Sequence, residues 1–154
     1  MNRFIVLLMA LALLAAACDN KENQESNMYT DGTVSLAGKT LNVEVADTSL
    51  KQAQGLSGRS GLSEDEGMLF VYNESHMGNF WMKDMIMPID IIWINGDKVI
   101  DISSEVQPEP GVAEEQLKRY SPNQQFDLVL EVRSGWAKEY GVKAGDVIKI
   151  ELYD

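Results

Sequence analysis

Arg59, Trp81, Lys83, Asp90 and Glu131 are the side chains of this sequence best placed to do chemistry. Three of them fall within Phe80–Ile94 (FWMKDMIMPIDIIWI), the longest apolar passage after the N-terminus. Charged residues are seldom buried without a partner, so Lys83 and Asp90 need an account among such neighbours. Two accounts stand open. Asp90 either satisfies a buried charge by pairing with Lys83 or Arg59, or these groups line a ligand site with Trp81 as a stacking platform. Glu131 lies between Leu130 and Val132, so strand alternation turns it away from both, towards solvent or the same cleft.

Catalytic signatures are sparse. The sequence has no Gly-x-Ser-x-Gly elbow, no complete Gly-x-x-x-x-Gly-Lys-Ser/Thr phosphate-binding loop and no His-x-x-x-His pair. Its one histidine, His76, falls in an expected turn without a nucleophile beside it. The pattern favours a non-catalytic domain that binds a ligand or partner, such as a saccharide or an envelope protein. The rival from another class is an envelope hydrolase with Asp90 as its base. A third reading gathers His76, Met77, Met82, Met85 and Met87 around Cu(I), which thioether and imidazole ligands suit. No regular element enforces a chelating spacing, and methionines commonly fill core gaps, so no metal site or cofactor is expected.

The elements that must position these residues follow from Pro88, which has no backbone donor and belongs at a strand start or edge. It divides the stretch into strands at Asn79–Lys83 and Ile89–Ile94 joined by a short turn. Phe80, Met82, Ile89, Ile91 and Trp93 then share a core face, with Trp81, Lys83, Asp90 and Ile92 on the other. This register sets Lys83 opposite Asp90. The glycine loop Gly55–Gly61 delivers Arg59 nearby.

Elsewhere, Thr40–Ala46, Gly67–Tyr72, Lys98–Ile102, Asp127–Val132 and Val147–Leu152 read as strands. Asn95-Gly96-Asp97 is a strong hairpin signal. Asp47, Thr48 or Ser49 caps a short helix running to Leu56, and Gly141 stops another over Ser134–Tyr140. Residues 73–78 form a turn, and 108–125 is an irregular Pro- and Glu-rich segment with a turn of helix near Ala113–Arg119. The expected fold is mainly β, a compact sandwich or closed barrel-like domain with two short helices.

The N-terminus reads as an address. Arg3 precedes the apolar run Phe4–Ala17, too short to span a bilayer, and Leu14-Ala15-Ala16-Ala17-Cys18 resembles a bacterial lipobox. Residues 1–17 are then a signal peptide, Cys18 the lipidation site, 18–32 a polar tether and 33–154 the domain. Membrane attachment follows, on the periplasmic side of the cell envelope. Asp19 favours the inner membrane under an enteric-type sorting rule. The net charge of −11, or −12 once Arg3 is removed, argues against nucleic acid as a partner.

Several segments in one order resemble the DUF192 family of small bacterial and archaeal domains. They include Val45-Ala46-Asp47-Thr48, Gly55-Leu56 with Arg59, Gly67-Met68-Leu69-Phe70, Phe80-Trp81-Met82-Lys83 and Pro88-Ile89-Asp90-Ile91-Ile92. Tyr120-Ser121, Leu130-Glu131-Val132 and Gly145-Asp146 continue the match. Departures are Asp84-Met85 where Asn-Thr is typical, Ser57 where Met is usual, and Gln52 where Arg is common. The resemblance implies a compact β-rich fold, often exported or lipid-anchored, and no established activity.

Overall fold

The computed structural model describes residues 31–153. The signal segment, Cys18 and the tether as far as residue 30 lie outside the described residues. Seven strands form one sheet: β1 Gly32–Leu36, β2 Lys39–Ala46, β3 Glu66–His76, β4 Ile89–Asn95, β5 Lys98–Val106, β6 Phe126–Arg133 and β7 Lys149–Leu152. Their order is β5-β4-β6-β3-β2-β1-β7. All neighbours are antiparallel except β2 and β3, whose parallel pairing requires a crossover through helix α1, Ser49–Gln54. Thr48 caps α1 by accepting a hydrogen bond from the Lys51 N–H. Helix α2, Trp136–Glu139, follows β6.

The fold is therefore mainly β with two short helices, and the sheet does not close into a barrel. A single bridge, Lys98 with Val147, joins the two ends of the strand order at one corner. Strand alternation divides the core in two. On one face Ile92, Ile94, Leu69 and Leu130 pack against Trp136 and Ala137 of α2. On the other, Ile89, Ile91, Trp93, Met68, Phe70 and Val129 are covered by the residue 79–88 segment, including Met82, Met85 and Met87. Both faces are buried, which is why β4 reads as a continuous apolar run rather than an alternating one.

The expected grouping of Phe80, Met82, Ile89, Ile91 and Trp93 is present, but the hairpin that was to produce it is not. Residues 79–83 form no ladder with β4. Phe80 instead makes an isolated bridge to Tyr120, its N–H and C=O both bonded to that residue at 2.8 and 2.9 Å. Asp84 then takes a left-handed conformation, φ 55°, and turns the chain back towards the core. Three strands also run beyond or outside expectation. β1 begins at Gly32, β3 continues through the expected turn to His76, and β5 extends to Val106. The Asn95–Asp97 turn forms as expected, with Asn95 paired to Lys98 and Gly96 at φ 60°.

Candidate functional site

Asp90 is fully buried, and it faces away from Lys83. Its Oδ1 accepts from the N–H groups of Glu105 at 2.7 Å and Gly135 at 3.0 Å, and its Oδ2 from Ala137 N–H at 2.9 Å. Gly135 is the N-cap of α2 and offers no side chain, so a β4 carboxylate supplies the missing cap. The third donor comes from a bulge. Ile89 pairs with Val106 and Ile91 with Ser103, leaving an extra residue on β5, and Glu105 adopts φ 51° there. The expected Lys83–Asp90 contact is thus replaced by a three-donor cap on the α2 face. Lys83 lies on the other side of the sheet, 2.7 Å from Glu114 of the 3-10 turn Glu114–Gln116. That exposed pair raises the lysine and lowers the carboxyl through their mutual hydrogen bond.

Over the face opposite α2 lies a cleft of about 430 Å³, between the sheet, α1 and the residue 79–88 segment. Phe70, Tyr72, Phe80, Trp81 and Met85 form its apolar walls, and Glu131 contributes a carboxyl. Glu131 is only 6% exposed. It stands opposite Ile91 on β4 and Met68 on β3, so its flanking partners on this face are apolar. Among the described residues no hydrogen bond reaches its carboxyl. Burial pushes the group up to about 8, against the partly offsetting charge of Arg59. Tyr72 is driven to about 12, by burial first and by Glu131 second.

Arg59 lines a neighbouring hollow with Met68, and both its terminal nitrogens are held by Glu44, at 2.8 and 2.6 Å. It is thus paired with β2 and not with Asp90. Trp81 is 41% exposed at the cleft, with one ring face covered by the Arg119 guanidinium 3.9 Å from the centroid. Of the five residues singled out in the sequence, Trp81, Lys83 and Glu131 meet at the cleft, Arg59 adjoins it, and Asp90 belongs elsewhere. Phe70 and Tyr72 could have been placed there by alternation along β3. Glu114 carries no local signal, because an irregular segment brings it in. Met82, Met85 and Met87 are buried in the core, Met77 faces solvent, and the His76 ring packs on Tyr72 and Phe126.

The family model for DUF192, described as Uncharacterized ACR, matches residues 32–150. The chain belongs to the DUF192 family. A protein of unknown function from Novosphingobium aromaticivorans is similar in structure, with TM-score 0.67 and 31% identity over 77% of this chain and 81% of that one. A candidate transcription regulator from Sinorhizobium meliloti matches with TM-score 0.68 and 28% identity, over 77% of this chain and 92% of that one. No curated protein matches the sequence.

The structure gives physical reasons for several DUF192-like positions. A Cβ at Gly67 would meet the Glu131 carbonyl oxygen at 2.9 Å, so the β3–β6 approach beside the cleft requires glycine. Asp84 occupies a left-handed position that Asp and Asn tolerate better than most residues. Gln52 bridges the carbonyls of Ala46 and Val71 at 3.2 and 2.9 Å. Ser57 donates to the Lys83 carbonyl at 3.0 Å and ties the Arg59 loop to the cleft rim.

Proposed function

We propose that this DUF192 domain is a non-catalytic binding module whose cleft takes a small organic ligand. One observation carries the reading: Glu131 is a largely buried residue whose carboxyl opens on an aromatic cleft and receives no hydrogen bond from another described residue. A polar group so placed costs stability unless a partner satisfies it, and a concave apolar site with a few polar groups suits small-molecule recognition. Among the described residues no nucleophile–base pair accompanies it, which favours binding over turnover. A sugar ring has one face of Trp81 available for stacking, the other being covered by Arg119. An envelope protein is the other partner suggested by a lipid anchor.

A ligand-observed NMR screen of envelope glycans and a charge-diverse fragment library tests the reading. Hits competing with one another and weakened by Trp81→Ala support it. Turnover of any hit, lost in Glu131→Gln, would replace the binding module by an enzyme. The envelope address belongs to the same proposal and rests on the lipobox-like ending at Cys18. Cys18→Ser should release the protein from membranes and abolish palmitate labelling; persistent labelling would contradict it.

A further inference from the structure

We infer that the cleft takes an organic ammonium cation, its charged head on Glu131 and its apolar body among Phe70, Tyr72, Phe80 and Trp81. This rests on the cleft being a ligand site and names the chemical class of its occupant. The first support is the state of Glu131, a largely buried residue whose carboxyl is open to the cleft and has no hydrogen-bond donor from another described residue. An ammonium or a hydroxyl-bearing cation brings to that carboxyl what the fold leaves out.

The second support is the balance of charge. Lys83 at the rim is committed to Glu114 at 2.7 Å, and Arg59 is held by both oxygens of Glu44. Arg59 offsets the burial of Glu131 only in part, so ionising that carboxyl leaves a charge without a close partner among the described residues. A monovalent cation cancels that charge and an anion adds to it. The third support is the wall chemistry. Aromatic faces attract cations, and Trp81 already carries one on its outer face in the Arg119 guanidinium. The chain's net charge of −11 draws cations towards its surface.

A neutral hydrogen-bond acceptor is the competing occupant, since protonated Glu131 could donate to it. The two differ in one proton. Seating a cation converts the carboxyl to carboxylate and releases its proton to the buffer, whereas a neutral acceptor leaves the proton in place. The groups facing Glu131 are Tyr72 on β3, Arg59 held by Glu44 of β2, and Lys83 with Glu114 across the cleft. Tyr72 is pushed up to about 12, Lys83 is raised and Glu114 lowered, so these three keep their charge state while Glu131 titrates.

The test is calorimetric titration at neutral pH in buffers of different ionisation enthalpy. The probes are choline and n-butylammonium, set against the uncharged isosteres 3,3-dimethylbutanol and n-butanol. The expected result is cation binding with close to one proton released per ligand. Glu131→Gln should weaken the cations by about tenfold or more and leave the alcohols unchanged. Alcohols binding as tightly as the cations, without proton release, would overturn the cation inference and leave the cleft as a ligand site. Failure of both cations would also overturn it. The ligand-site reading falls with it only if the wider fragment and glycan screen is equally silent.

Discussion

Glu131 stands directly opposite Ile91 in the antiparallel β4–β6 ladder, which sets a carboxyl beside an apolar side chain in the middle of the sheet. Such a group should make stability depend on pH. Burial pushes it up to about 8 in the folded protein, from the ordinary glutamate value of 4.5 that serves for the unfolded chain. Below the lower value both states hold the proton and no penalty exists. Between the two, the unfolded chain ionises while the folded one does not, so stability falls as pH rises. Above the upper value the loss is complete, on the order of 4–5 kcal/mol. Urea unfolding across this window should show the decline in the wild-type protein and a flatter profile in Glu131→Gln.

Part of this arrangement is legible in the sequence. Alternation placed Ile89, Ile91 and Trp93 together and turned Glu131 from its neighbours. Asn95-Gly96 announced the β4–β5 turn, because a local backbone requirement leaves a local trace. Asp90 shows where such reasoning stops. Its three donors come from residues 15, 45 and 47 positions away, and each is a backbone N–H that any sequence would supply. A lysine seven residues distant is the visible partner for a carboxylate; an uncapped helix is not. The Phe80–Lys83 segment misled similarly, since its backbone partner Tyr120 lies in an irregular stretch. Nor does a set of strands announce that β2 and β3 pair in parallel.

The Asp90 cap predicts a structural phenotype. Asp90→Ala removes the acceptor for three buried donors and should destabilise by roughly 3–5 kcal/mol, within the range for breaking a buried network. Asp90→Asn keeps one good acceptor and should cost less. Neither should change the affinity of a cleft ligand measured on the folded fraction. Lys83→Ala, which removes an exposed ion pair, should leave the unfolding midpoint almost unmoved. Chemical denaturation of the three variants separates these outcomes, and a midpoint shift in Lys83→Ala matching that of Asp90→Ala would contradict them.

Glu105 is held at φ 51° in the bulge that aims its N–H at Asp90. Glycine adopts this conformation freely, and the Glu105 side chain is exposed. Glu105→Gly should therefore stabilise by about 0.5–1 kcal/mol, provided the bulge is retained. A loss of stability would show that the side chain matters more than the backbone conformation.

Gly67 makes the opposite demand. An added Cβ lies 2.9 Å from the Glu131 carbonyl oxygen, a backbone atom that cannot swing aside. Gly67→Ala should force the β3–β6 ladder apart beside the cleft and destabilise by about 1–3 kcal/mol, as overpacking does. Amide exchange should quicken first at residues 67–71 and 128–132, the paired register.

A carboxyl-carbon NMR titration of Glu131, run on the free protein and again with choline or the best fragment hit, reads the state of the cleft carboxyl directly. The expected midpoint is near 8 in the free protein and is displaced when the cleft is filled. A midpoint near the ordinary glutamate value of about 4.3, unmoved by any ligand, would contradict it.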